Sequence, residues 1–516
     1  MTETTIKPYK NELFGHPKGL FILFFTEMWE RFSFYGMKAL LIFYLTKYHL
    51  FSDVDGNLLI GSYAALVYAI PVVGGFIADR YLGFRKAIVF GGIMLVLGHA
   101  GMAYEGNAAT QSLTGEIVRD DFALQIFYLS LAFIILGVGF LKANISSLVG
   151  ELYQKGDKRR DSGFTIFYMG INLGSVLATI ICVWLGETYG WSYGFGAAGV
   201  GMFFGLLTFI SGKKLLMGKG ESDNQYFLDQ KSFGLKNEWL VYIGSILSTL
   251  LFWQMVQSHE AVSWTLKIAG GISFLYIFYY AVTQLDGKAR DQLIALTILI
   301  VFTIVFWALF EQAYTSMNLF ADRALDRHIF GFELSAGQFL TFNGLFIVIL
   351  APVFAWLWLK LGKYNPNTAV KFSLALMFVG LGFGALVMGI NVSGAGKVAA
   401  IWLILTYLLH TCGELSLSPV GLSAVTKLSP KKIVGFMMGV WFLATASSEF
   451  IASVLANIAS VDTANGTAPD LNIAKQSYLK LFEYLFYTGL GFGVLLLILS
   501  PIIKKLMHGV DRELNH

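Results

Sequence analysis

Charge is scarce in this 516-residue chain: Asp, Glu, Lys and Arg together make up 14%, against about 25% in a soluble globular domain. Such a chain cannot cover several soluble domains with a polar surface, so that class is excluded. Cysteine occurs twice and proline nine times. Two cysteines build no disulfide scaffold, and Cys182 and Cys412 both lie in apolar runs, where they read as core thiols. Few prolines leave long helices uninterrupted. The net charge of +4 is too small to suggest nucleic acid. No spaced His/Asp cluster or activated serine motif is visible, so an enzyme is not expected. The first 19 residues lack the charged start, short apolar core and small-residue cleavage site of a signal peptide. The first apolar span is therefore expected to stay in the working protein.

Hydrophobic residues are abundant at 56%, with 55 glycines and 45 phenylalanines. Fourteen membrane helices of ~20 apolar residues each need roughly 280, close to what 56% of the chain supplies. Apolar runs of spanning length occur near 20–47, 57–79, 85–105, 122–150, 162–184, 190–211, 237–258, 263–285, 291–319, 336–361, 368–391, 397–426, 433–459 and 473–507. Lys and Arg mark every second loop: Lys7, Lys10 and Lys18; Arg80, Arg85 and Lys86; Lys155, Lys158, Arg159 and Arg160; Lys213, Lys214 and Lys219. The series continues at Lys288 and Arg290, Lys360 and Lys363, Lys427, Lys431 and Lys432, and Lys504 and Lys505. Cytoplasmic loops collect such residues, so both termini are predicted cytoplasmic, which requires an even number of spans. Two basic turns, 212–237 and 286–291, enclose a pair of spans. The expected organisation is a cytoplasmic tail (1–19), a six-helix bundle (20–211), a linker with an inserted hairpin (212–290), a second six-helix bundle (291–507) and a cytoplasmic tail (508–516). Two such halves around a central cavity suit a transporter.

Several charges sit where lipid should be. The first span holds Glu27, Glu30, Arg31 and Lys38, and at 100° per residue positions 27, 30, 31, 34, 35 and 38 share one face. An ionisable group in a membrane costs at least ~2.5–3.5 kcal/mol and is retained toward a cavity or a partner. A self-neutralising Glu27–Arg31 pair would leave Glu30 and Lys38 unexplained. Lys142, Glu311 and Glu414 lie mid-run elsewhere. Arg31, Lys38 and Lys142 belong to the first half, Glu311 and Glu414 to the second, which predicts a cavity positive on one wall and negative on the other. A ligand with an ammonium at one end and a carboxylate at the other complements that field. Buried carboxylates beside basic groups also suit proton uptake and release. Glu449 fits a cavity lining and a structural hydrogen bond equally well, and Lys267 lies in the inserted hairpin.

These stretches resemble the proton-coupled oligopeptide transporters, a branch of the major facilitator superfamily. Glu27-Met-Trp-Glu30-Arg31-Phe32-Ser-Phe34-Tyr35-Gly36 matches the family's ExxERFxYYG except at Phe34. Phe167-Tyr168-Met-Gly170-Ile-Asn172-Leu-Gly174 is similar to its FYxxINxG signature. Asp79, Arg80 and Arg85 fall in what looks like the superfamily's basic loop between helices two and three. Phe306-Trp307-Ala-Leu-Phe-Glu311-Gln and Gly413-Glu414-Leu-Ser-Leu-Ser-Pro419 resemble its seventh and tenth helices, leaving aside an inserted pair that bacterial members usually carry. The resemblance implies an all-α membrane protein of the major facilitator fold, importing di- and tripeptides with protons across a bacterial inner membrane by alternating access. Peptide-like drugs are conceivable ligands, and membrane lipid is the surrounding partner. No cofactor, metal or obligate protein partner is expected. By the same resemblance, Arg31, Lys38 and Lys142 meet the peptide carboxylate, and Glu414, Asn172 and Asn343 its amino end. Tyr35, Tyr68, Tyr168, Trp307 and Trp441 form side-chain pockets, while Glu27, Glu30 and Glu311 handle protons. Mammalian relatives carry a functional His where Gly61 stands here, so a proton role for a His at that point is excluded. A carrier for nitrate or a small organic acid is the alternative, though it has little need for Glu311 and Glu414.

Two other patterns are set aside. Gly194-Phe-Gly196-Ala-Ala-Gly199 matches the GxGxxG dinucleotide fingerprint, but no strand precedes it, and close helix packing explains these glycines better. Gly170 and Gly174 suit the same purpose. His410 and Glu414 share a helical face yet lack a third metal ligand nearby, so His410 is expected to hydrogen-bond a neighbour.

Overall fold

The computed structural model describes residues 12–154, 157, 159–461 and 469–510. Lys7, Lys10, Lys155 and Lys158, most of the predicted N-terminal tail, the loop 462–468 and residues 511–516 lie outside the described residues. Among the described residues fourteen long helices follow one another: α1 (Lys18–Phe43), α2 (Asp53–Ala69), α3 (Phe84–Met102), α4 (Asp121–Glu151), α5 (Arg160–Tyr189), α6 (Trp191–Ser211), α7 (Asn237–Val256) and α8 (His259–Thr283). The series continues with α9 (Gly287–Phe310), α10 (Thr341–Leu361), α11 (Thr368–Val392), α12 (Ala400–Leu428), α13 (Val434–Ala456) and α14 (Leu471–Leu506). Among the described residues, strands are limited to two-residue pairs in the loops. Thirteen helical stretches among the described residues are long and apolar enough to cross a membrane. α1 is spanning in length, with 26 residues, and stands apart because of the four charges in its middle. The all-α membrane architecture of about fourteen helices is the one the sequence predicts.

Helix ends follow local chemistry. α2 starts at Asp53 rather than near 57, because Ser52 Oγ accepts the Asp55 backbone N–H at 3.1 Å and donates to Asp55 Oδ2 at 2.7 Å. This reciprocal cap is worth about 1 kcal/mol and admits two aspartates into the first turn. α2 continues through a second segment, Pro71–Ile77, to Leu82; Pro71 begins that segment, where its missing N–H costs no helical bond. α9 likewise runs on through Glu311–Tyr314 and Ser316–Arg323.

The chain divides into two compact units: Met1–Met37, Ile70–Glu105 and Gln125–Trp253; and Lys38–Ala69, Gly106–Leu124 and Gln254–His516. In the first, α3 packs on α6 and α5 on α6. α5 approaches α1 so closely that a Cβ at Gly174 would strike the Met28 carbonyl, and one at Gly170 would crowd Phe24. Both glycines thus serve helix packing, as their spacing predicts. Gly196 and Gly199 of the GxGxxG match face Ala103 and His99 from within α6. In the second unit α11 packs on α12 and α14, α9 on α13, and α2 on α13. A Cβ at Gly61 would overlap Ser453 of α13; no side chain, histidine included, fits there without moving the helix pair. The inserted hairpin is shared: α7 packs in the first unit, and α8 leans on α2 and α13 in the second, with Ser62 Oγ 3.0 Å from His259 Nδ1. Both cysteines are free thiols.

Candidate functional site

In the first unit the charges of α1 form one buried group. Arg31 Nε lies 3.0 Å from Glu27 Oε1 and 2.5 Å from Glu30 Oε2, and all three residues are at most 3% exposed. Helical geometry explains the arrangement, since 27 and 31 are one turn apart and 30 and 31 adjacent on the same face. Lys142, half-buried on α4, is close enough for its charge to act on Glu27. Two carboxylates and two cations balance, which is the condition for keeping them in a low-dielectric interior. The Arg31 guanidinium also lies over Phe34 at 5.4 Å and Tyr35 at 5.9 Å, where the aromatic faces favour a cation. Phe34, the departure from the family motif, thus keeps a ring beside Arg31 and lacks only a hydroxyl. On α5, Asn172 is buried and donates its amide to the Tyr168 carbonyl at 3.0 Å, whereas Tyr168 itself is exposed.

The second unit holds a different group. Lys38, 1% exposed, donates to Glu311 Oε2 at 2.9 Å and to Glu449 Oε1 and Oε2 at 2.9 and 3.2 Å. The Tyr314 ring sits 4.3 Å from its ammonium and the Tyr68 ring 6.0 Å away. Lys38 reaches Glu311 because α9 tightens into a 3₁₀ turn at Glu311–Tyr314. Glu449 lies on α13 where that helix packs on α2, and a Cβ at Gly61 would lie 3.5 Å from the Glu449 carbonyl oxygen. Glu449 and Tyr314 belong with the site residues. The signal for Glu449 was its charge in mid-span; for Tyr314 there was none beyond its place one turn after Glu311.

A third group lies farther along the same unit. Asn343 Nδ2 donates to Thr411 Oγ1 at 3.0 Å and to Glu414 Oε2 at 3.2 Å, joining α10 to α12. His410, one turn before Glu414, is buried with Nε2 3.2 Å from the Val379 carbonyl oxygen; it binds a neighbour, as predicted. Trp307 packs edge-on against Phe306 and Phe310, and Trp441 covers Gly421. Lys267 is exposed on α8 over Trp264, outside all three groups.

The loop residues sit at helix ends. Asp79 and Arg80 occupy the wide turn Ala78–Leu82, exposed, with Arg80 beside Phe76 and Tyr81. Arg85, in the first turn of α3, pairs with Glu221 and donates its backbone N–H to the Gly220 carbonyl at 2.8 Å. At the 44–53 end, Arg323 holds Asp53 by two bonds of 2.6 and 2.7 Å, a pairing that sequence reading missed because Asp53 looked like a loop residue.

Buried ion groups inside a bundle of membrane-length helices define a membrane carrier rather than a structural bundle. The chain belongs to the POT family, whose model matches residues 85–473. It is 38% identical over 96% of both chains to a protein named "Uncharacterized transporter YclF" of Bacillus subtilis. It is also 34% identical, over 96% of this chain and 98% of the relative, to a "Di-/tripeptide transporter" of Lactococcus lactis. A solved "peptide transporter POT" in complex with alafosfalin superposes with a TM-score of 0.79 at 35% identity, over 96% of this chain and 97% of the other. The fold is therefore that of the major facilitator type, and the relatives are transporters.

Proposed function

We propose that this protein is a symporter that imports di- and tripeptides together with protons by alternating access. The observation that carries the reading is the clasp around Lys38, one ammonium between the Glu311 and Glu449 carboxylates inside a helical membrane bundle. Two negative charges and one positive leave the group at −1, and one added proton makes it neutral. A group balanced only when protonated gives proton arrival and a change of state a common cause. The Glu27–Glu30–Arg31 group is the second proton-linked element, since a peptide carboxylate arriving at Arg31 and Lys142 competes with the glutamates for the same cations.

The peptide ammonium goes to Glu414, helped by Asn343 and Asn172. Tyr35, Tyr68, Tyr168, Trp307 and Trp441 accommodate the side chains. Lys38 is fully engaged and so meets a carboxylate only after Glu311 or Glu449 lets go. Asp79, Arg80 and Arg85 serve as a gating element at the loop end, with Gly170 and Gly174 keeping α5 tight on α1. The names of the relatives, "Peptide transporter YePEPT" of Yersinia enterocolitica and the lactococcal "Di-/tripeptide transporter", support the substrate class. An even number of long helices and basic alternate loops support both termini being cytoplasmic in a bacterial inner membrane. The proton gradient alone drives the cycle, without a cofactor.

Proteoliposomes test the proposal. Dipeptide uptake is expected to be electrogenic and dependent on an inward proton gradient, and nitrate and single amino acids should not replace the dipeptide. Glu30→Gln is expected to abolish gradient-driven uptake. Undiminished uphill transport by that variant would remove Glu30 from the coupling group.

A further inference from the structure

A groove of about 520 Å³ opens on the first unit between α3, α6 and α7, and its lining shares Arg85 with the loop described above but none of the buried ion-group residues. Its three walls meet at helix ends of one membrane face: the start of α3 at Phe84, the end of α6 at Ser211 and the start of α7 at Asn237. At that end the groove is lined by Arg85, Lys86 and Lys213. Moving inward by one to two and a half helical turns, roughly 6–13 Å, the lining becomes Phe90, Ile93, Met94, Phe209 and Ile246. The groove is thus cationic at the membrane face and apolar below it.

The charges do not all cancel. Arg85 is paired with Glu221, and Lys86 Nζ lies 2.9 Å from Glu238 Oε1 with a 3.4 Å bond to Gln225. Lys213 is exposed and has no carboxylate within ion-pair distance among the described residues. Three cations against two carboxylates leave one positive charge. Trp239 and Tyr242 of α7 stand beside this end, with Tyr242 stacked on Phe90 and its hydroxyl donating to Glu238 at 3.3 Å. Trp and Tyr collect at headgroup depth, so they fix the level at which the cations lie. Ile93, Ile210 and Ile246 are 41%, 48% and 40% exposed, and in a membrane those surfaces contact acyl chains.

We propose that this groove is a binding site for an anionic phospholipid with a single net negative charge. Its phosphodiester sits among Arg85, Lys86 and Lys213, and an acyl chain follows Phe90, Ile93 and Ile246 inward. A soluble phosphate would match the cations but leave the apolar wall unused, and a neutral lipid would use the wall but not the residual charge. The site also gives the inserted hairpin a task, since α7 supplies one of the three walls.

Native mass spectrometry of the full-length protein in detergent tests this, with phosphatidylglycerol and phosphatidylcholine of the same chains as probes. Phosphatidylglycerol is expected to bind about fivefold tighter, the ratio set by about one basic charge near a lipid surface. Lys213→Gln breaks no ion pair and should bring the two lipids to nearly equal affinity, whereas Lys288→Gln, in the first turn of α9 and not part of the groove lining, should not. Ile246→Trp, which fills the apolar end, should weaken both lipids. Equal binding of the two lipids by the parent protein overturns the proposal, as does discrimination that survives Lys213→Gln. Displacement of phosphatidylglycerol by millimolar inorganic phosphate would instead mark a bare anion site. A dimer mass lost with Ile246→Trp would mark a second copy as the occupant.

Discussion

The Asp53–Arg323 pair should act as a latch whose loss can be counted. Arg323 Nη1 and Nη2 donate to Asp53 Oδ2 and Oδ1 at 2.6 and 2.7 Å, with the side chains 9% and 2% exposed. Val461 N–H adds a bond of 3.2 Å to Asp53, and Tyr478 Oη lies 3.4 Å from Arg323 Nη1. The start of α2, the Ser316–Arg323 segment and α14 are thereby tied at one end of the second unit. Removing one partner of a buried ion pair costs about 3–5 kcal/mol, because the other charge is left behind. If the cost falls on the latched state, Asp53→Asn raises the open-to-latched ratio by about 10²- to several 10³-fold. Asp53→Asn with Arg323→Gln removes both charges and should recover most of that loss. The assay is the rate of thiol labelling at Asn57→Cys, buried one turn along α2 and bonded to Asn457 at 3.1 Å, in a background with Cys182 and Cys412 replaced by Ala. An impermeant reagent added outside should label the single variant at least tenfold faster than the parent. Labelling at the parental rate would refute the latch. A double variant as fast as the single one would show that the two charges do not act as a pair.

Other substitutions separate the roles of the remaining groups. Lys38→Gln strands two buried carboxylates and should cost about 3–5 kcal/mol of stability, whereas Glu449→Gln leaves a neutral Lys38–Glu311 pair and should cost about 1 kcal/mol; equal losses in thermal unfolding would contradict the clasp. Glu414→Ala should weaken dipeptide binding by at least tenfold, as expected when a charged partner is removed from an ammonium, and unchanged affinity by calorimetry would move the amino end elsewhere. His49 lies in the turn after α1, and burial followed by the Arg119 charge pushes its pKa down to about 4. Opening that turn restores an ordinary value near 6.5, so the open state takes up the extra proton between these limits and the turn loses stability as pH falls from about 6.5 to 4. The protection factor of residues 44–52, with exchange referred to the intrinsic rate at each pH, should therefore fall over that window, and His49→Gln should flatten the response.

Much of this molecule could be read from its sequence, and the failures share a cause. The fourteen apolar runs became fourteen helices because hydrophobic length is a local property; only their ends moved, as where α5 runs to Tyr189 rather than stopping near 184. The charged face of α1 was legible for the same reason, since Glu27, Glu30 and Arg31 meet within one turn. What linear reading could not supply was pairing across helices. Lys38 finds Glu449 across 411 positions of sequence, and Asp53 finds Arg323 across 270. Lys38 was grouped with Arg31 by periodicity, yet its partners are Glu311 and Glu449, because the helices around α1 change between Met37 and Lys38. Periodicity shows which side of a helix is polar and says nothing of which neighbour stands there.

The closeness of α2 and α13 at Gly61 has a consequence for how this chain can vary. Gly61 and Ser453 share one small volume, filled by the serine, so the two positions behave as a single unit of space rather than as two sites. A larger residue at 61 is admissible only with a smaller one at 453, and neither can grow alone without pushing the helices apart. One turn before Ser453 lies Glu449, whose backbone carbonyl also stands close to position 61. A randomised library at both positions should return pairs of nearly constant combined size.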